Sequence, residues 1–159
     1  MNTRENTKKI VAGGVPIGGG AAVSVQSMCN VRTSDVDAVV AQIKRLRAAG
    51  CDIVRLAVPD MAAARAISDI KERVDVPLVA DIHFDYRLAL EAAARGIDKI
   101  RINPGNIGGR DKVAAVAREC SLHNIPIRIG VNGGSRCWRS TAIPPPRRWW
   151  RALKGIYGC

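Results

Sequence analysis

A chain of 159 residues with 47% hydrophobic content is long enough to bury one real core. No apolar run approaches the roughly 18 residues of a membrane span, and the polar N-terminus "MNTRENTKKIVAGG" lacks a signal-peptide core, so no membrane partner and a cytoplasmic location are expected. The formal net charge of +11 is uneven: residues 136–159 hold Arg136, Arg139, Arg147, Arg148, Arg151 and Lys154 with no acid, which leaves an ordinary +5 for residues 1–135.

The cysteines, Cys29, Cys51, Cys120, Cys137 and Cys159, are odd in number and scattered without C-x-x-C spacing. Neither a disulfide framework nor a complete metal site is indicated. The aromatic content is low, so the core is expected to be aliphatic.

Near the N-terminus, Ile10 and Val11 and then Val15 to Ile17 flank Gly13 and Gly14. This predicts a β-hairpin, placed as a lid across the bottom of a barrel. A glycine-rich phosphate loop is the alternative, but the spacing matches no Walker or dinucleotide pattern set between a strand and a helix. The apolar run 22–28 predicts a strand. Residues 34–50 predict a helix with Ser34 as N-cap, Val36, Val39, Val40, Ile43 and Leu46 at helical spacing, and Gly50 at its end. Strands are then predicted over 52–58, 77–83, 99–103 and 126–132, and helices over 61–74, 86–96 and 109–124. One helix between each pair of strands is the βα pattern of a parallel sheet, which curls into a (β/α) barrel or forms a doubly wound sheet. The fold class expected is α/β: a partial (β/α)8 TIM barrel of about five βα units, preceded by the hairpin.

A central parallel strand should be almost continuously apolar. Four of the five predicted strands break that rule near their C-terminal ends. The second carries Arg55; the third Asp81 and His83, two apart and so on one face; the fourth Arg101 and Asn103; the fifth Arg128 and Asn132, with Gly130 between them leaving space. In α/β barrels these strand ends form the active site. A lone arginine there is often a salt-bridge partner and a lone histidine a structural residue. Three arginines against Asp81 leave positive charge that an anionic ligand would balance, and guanidinium forks suit phosphate. The turn "PGNIGG" and the helix start after it are expected to add backbone amide donors.

The segments "VQSMCN", "CDIVRLAV", "ADIHFDYRLA", "KIRINPGNIG" and "PIRIGVNGGS" resemble, in order, the N-terminal part of the GcpE/IspG family, the 4-hydroxy-3-methylbut-2-en-1-yl diphosphate synthases of non-mevalonate isoprenoid biosynthesis. The resemblance covers about residues 4–135. It implies a TIM barrel followed by a smaller domain that carries a 4Fe–4S cluster. The implied reaction is a two-electron reductive opening of 2-C-methyl-D-erythritol 2,4-cyclodiphosphate with loss of water, in a homodimer fed by ferredoxin or flavodoxin. By motif, Arg55, Arg101 and Arg128 match the family's diphosphate-binding arginines, and Asn103 and Asn132 its strand-end amides. Asp81 and His83 fall in its cavity-wall segment and are the candidate catalytic residues. Cys29 and Val31 replace two threonines of the usual motif, and Gly133 replaces a serine, which is expected to remove hydroxyl donors near the site.

The resemblance stops after Ser135. Residues 136–159, with Trp138, Trp149, Trp150 and the run Pro144, Pro145, Pro146, are expected to be a disordered basic tail foreign to the family. The cluster's three cysteines and glutamate have no counterparts here, so no metal ligand is assigned. The expectation is a truncated or frameshifted product, inactive by itself. A basic, aromatic tail could also suit nucleic acid, although the footprint of a binding domain is missing. Two other readings stay open: a phosphate- or pterin-diphosphate-binding barrel in the style of dihydropteroate synthase, whose strand motifs differ from "INPGN" and "GVNGGS", and a non-enzymatic binding fragment that uses the tail.

Overall fold

The structure is a computed structural model that describes residues 3–130. The expectations for residues 136–159, and for Asn132, fall outside the described residues. A short antiparallel hairpin, β1 (Ile10–Ala12) and β2 (Val15–Ile17), precedes a five-stranded parallel sheet of β3 (Gln26–Met28), β4 (Ile53–Ala57), β5 (Leu78–Ile82), β6 (Lys99–Ile102) and β7 (Ile127–Ile129). The helices α1 (Val36–Ala48), α2 (Met61–Lys71), α3 (Tyr86–Ala94) and α4 (Arg110–Leu122) alternate with the strands.

The strand order is sequential, β3-β4-β5-β6-β7. A doubly wound sheet reverses its order at a switch point. This sheet does not, and successive helices pack on one another. The arrangement is therefore a barrel segment rather than a doubly wound sheet. The helix-covered face takes Val54 and Leu56 from β4, Leu78, Ala80 and Ile82 from β5, and Ile100 and Ile102 from β6. Ala63, Ala64, Ile67 and Ile70 of α2 and Ala89, Ala92 and Ala93 of α3 meet them, the small alanines letting those helices lie close on the sheet. Each fully buried Ile or Leu here contributes roughly 1.5–3 kcal/mol.

Three helices begin on aspartate. Asp35, Asp60 and Asp85 accept from the backbone N–H of Ala38 (3.1 Å), Ala63 (2.8 Å) and Arg87 (3.0 Å), each cap being worth about 1 kcal/mol. Asp35 thus replaces Ser34 as the first cap. The shorter serine side chain sits one residue outside the position from which an oxygen can reach the N3 amide. The strand predicted over 22–28 shrinks to Gln26–Met28, with Val23 and Val25 exposed. Apolar content overstated it, because β3 lies at the edge of the sheet and only its last residues find register partners on β4.

The predicted hairpin is present. Gly13 (φ 53°) and Gly14 (φ 90°) both take positive φ, as a two-residue hairpin turn of this hand requires. A side chain on Gly13 would lie 2.7 Å from Pro77 Cβ and 2.8 Å from Asp98 Cγ, residues that just precede β5 and β6. The turn is therefore pressed against the N-terminal end of the sheet, at the bottom of the barrel segment, as the lid reading required. Among the described residues, no helix is long and apolar enough to cross a membrane.

Candidate anion-binding site

Period-two alternation puts Arg55 and Ala57, Val79 and Asp81, and Lys99 and Arg101 on the face opposite the helices. Strand register then decides which of them meet. Ala57 lies beside Asp81, Asp81 beside Arg101, and Arg101 beside Arg128, so Asp81, Arg101 and Arg128 form one row across the C-terminal half of the sheet, with Arg55 and Lys99 in the row below, on either side of Val79.

Asp81 is the hub of that row. Its carboxylate is only 2% exposed and lies between two guanidinium groups. Arg101 Nη1 donates to Oδ1 at 2.8 Å, and Arg55 Nε lies 3.4 Å from Oδ2. His83 Nε2 is 3.3 Å from the same Oδ2 and 3.3 Å from Arg101 Nη1, so its ring either donates to Asp81 or accepts from Arg101, depending on the tautomer. His83 is half exposed, whereas the side chains of Arg55 and Arg101 are 27% and 17% exposed. One carboxylate facing two largely buried guanidiniums leaves net positive charge, with donor edges that Asp81 does not use.

The charge balance differs from the sequence expectation in one respect. Arg128 is exposed, so its charge needs no buried partner. The buried excess comes instead from Lys99, one row below, which is 7% exposed and has no carboxylate within ion-pair distance among the described residues. Burial first, and then the charge of Arg128, hold its ammonium below the ordinary lysine range. Sequence reading missed Lys99, although its place two residues before Arg101 carried the signal. It also missed Met28, whose Sδ accepts from Arg55 Nε (3.3 Å) and Nη2 (3.1 Å) and so holds the same edge of that guanidinium whose Nε lies near Asp81.

Two other expectations change. Asn103 is buried, and its Oδ1 accepts from Gly105 N–H at 3.0 Å, while its carbonyl accepts from Asn106 and Ile107 (3.0 Å each). Three amides of the "PGNIGG" turn are thus spent on closing the turn and are not offered to a ligand. Cys29 packs into the core beneath the helices, where burial first and then Cys51 push its thiol up to about 11. The threonine-to-cysteine change there removes no donor from the charged face.

A singly wound α/β sheet, helix-covered on one face and carrying a strand-end cation row on the other, defines a segment of a (β/α) barrel. The chain belongs to the GcpE family: the family model for the GcpE TIM-barrel domain matches residues 7–140. The protein named 4-hydroxy-3-methylbut-2-en-1-yl diphosphate synthase (flavodoxin) from Clostridium perfringens is 60% identical over 135 residues, which is 85% of this chain and 38% of that protein. The like-named protein from Pseudomonas paraeruginosa is 61% identical over 133 residues, 84% of this chain and 36% of its own length. The chain therefore spans little more than a third of the curated relatives it matches. Among solved structures, dihydropteroate synthase from Yersinia pestis superposes with a TM-score of 0.57 at 15% identity, covering 75% of this chain and 44% of that one. That likeness shows the fold alone.

Proposed function

We propose that this chain supplies the substrate-holding part of a 4-hydroxy-3-methylbut-2-en-1-yl diphosphate synthase, an iron–sulfur oxidoreductase of isoprenoid biosynthesis working in the cytoplasm. The observation that carries the reading is the pair of guanidiniums on Asp81, set at the strand ends of a domain whose relatives of about 60% identity bear that name.

In this reading Arg55, Arg101 and Arg128 hold the two phosphates of 2-C-methyl-D-erythritol 2,4-cyclodiphosphate, and Asn103 and Asn132 are assigned to substrate binding by their place in the family motif. Asp81 is the counter-charge that fixes the two forks. His83, half exposed beside Arg101, is the group best placed to exchange a proton with the ligand. As the ring opens, charge develops on the departing phosphate oxygen, and preorganised guanidiniums stabilise it without reorganising. The reduction would need two electrons from a 4Fe–4S cluster, with flavodoxin as donor. The described residues do not fit that cluster: among them, no group of three His, Cys, Asp or Glu side chains could hold a metal, and Cys29, Cys51 and Cys120 are free buried thiols. The role assigned to residues 1–135 is therefore binding and charge stabilisation.

The test is calorimetric titration of the 159-residue chain with the cyclodiphosphate, and with a pterin diphosphate as comparator. Selective binding of the cyclodiphosphate is expected, weakened in Arg101→Ala by roughly 1.5–3 kcal/mol and partly restored in Arg101→Lys, which keeps the charge but not the fork. Preference for the pterin diphosphate, or an unchanged affinity in Arg101→Ala, would overturn the reading.

A further inference from the structure

Gly130 follows β7, and its N–H donates to Ile102 O at 2.8 Å, continuing the ladder. It lies two residues beyond Arg128, on the same face, and so one step above the row that contains Arg101. Its φ is outside the left-handed region, so the backbone conformation does not demand glycine. Space does. A Cβ at this position would stand 2.7 Å from Arg101 Nη2 and 2.8 Å from Cζ, and would also collide with Nε. The Nε/Nη2 edge of the guanidinium is thus set against the bare backbone of Gly130, while Nη1 is held by Asp81 and His83.

We propose that Gly130 is the positioning residue for Arg101: the missing side chain is the slot that lets the guanidinium reach Asp81 and face the anion at once. The proposal rests on the anion-binding reading above. A methyl group at Gly130 can be accommodated because the atoms it meets are the far end of a flexible side chain. The fold is kept while the guanidinium is driven out of its place, and the 2.8 Å bond to Asp81 is lost or lengthened. A charged hydrogen bond made by a displaced donor is lost to the ligand as well.

The experiment uses the full 159-residue chain labelled with 15N-arginine, with the Arg101 Nε–H resonance assigned by its disappearance in Arg101→Ala. In Gly130→Ala that resonance is expected to move in the free protein. Calorimetric affinity for inorganic diphosphate should fall about tenfold, and adding Gly130→Ala to Arg101→Ala should cause no further loss, since both act through one group. An unmoved Arg101 resonance, an unchanged diphosphate affinity, additive losses in the double variant, or unfolding of Gly130→Ala seen by far-UV circular dichroism would each overturn the proposal. If the unsubstituted chain binds no diphosphate and the resonance nevertheless moves, the anion-binding reading fails while the positioning of Arg101 by Gly130 stands.

Discussion

Asp81 and Arg101 are register partners on adjacent parallel strands, and their side chains meet at 2.8 Å in a place where the carboxylate is almost fully buried. Arg55 reaches the other oxygen from the strand on the opposite side. The carboxylate is what allows two guanidiniums to share one small volume. Asp81→Asn keeps the shape and removes the charge, leaving the two cations unbalanced. The expected cost is about 2 kcal/mol, below that of breaking a fully buried pair because both arginines retain some exposure. Urea denaturation of the two chains measures it; equal midpoints would show that Asp81 does not hold the arginines.

Met28 acts on Arg55 through a weak acceptor. Met28→Leu preserves volume and removes the sulfur. Affinity for inorganic diphosphate is expected to fall by a few-fold, about 0.5–1 kcal/mol, with the thermal midpoint unchanged. A variant that binds as tightly as the parent would show that the sulfur contact does not set the position of Arg55.

Lys99 costs the fold something at neutral pH. Its ammonium is held below the ordinary lysine range, so the unfolded chain binds that proton more tightly than the folded one. Stability therefore rises with pH between the lowered folded value and the ordinary 10.5. In Lys99→Met that rise should disappear, and the chain should gain roughly 1 kcal/mol at pH 7. Urea melts of both chains at pH 7 and pH 10 check both halves. A loss of stability at pH 7 would mean that the ammonium has a favourable partner.

The hairpin lid offers a comparison between neighbours. Gly13 and Gly14 both have positive φ, yet a side chain on Gly14 would meet nothing within 4 Å, whereas one on Gly13 would strike Pro77 and Asp98. Gly14→Ala should cost only backbone strain, about 1 kcal/mol. Gly13→Ala should cost at least about 1 kcal/mol more, because it also forces the turn off the sheet. Equal costs in thermal or chemical melts would mean that the turn does not seat on the bottom of the sheet.

The thiols of Cys29 and Cys120 are buried, and burial chiefly pushes them up to about 11 and about 12 respectively. At pH 8 both remain protonated and covered, so iodoacetamide should leave them unmodified in the folded chain and alkylate them in urea. Peptide mass spectrometry reads each site separately; rapid labelling of either in the folded chain would contradict its place in the core.

Local sequence determined the element order, the hairpin turn and the face on which each charged side chain stands. Those follow from period-two alternation, helical spacing and turn chemistry, which act between near neighbours. Helix caps and strand ends were less legible: Ser34 and Asp35 are equally good caps by residue type, and the apolar run from Ala22 gave no sign that β3 would be an edge strand. The charge pairing was not legible at all. Asp81 could have served any of three arginines. Register across β4, β5 and β6 decided that it holds Arg55 and Arg101, exposure left Arg128 outside, and Lys99 became the buried cation with no carboxylate partner among the described residues. Likewise, the glycine at position 130 read as empty space from its sequence alone. Only the packing of strand beside strand shows that the space is filled by Arg101, because contacts between residues 29 positions apart are set by the sheet and not by anything local to either.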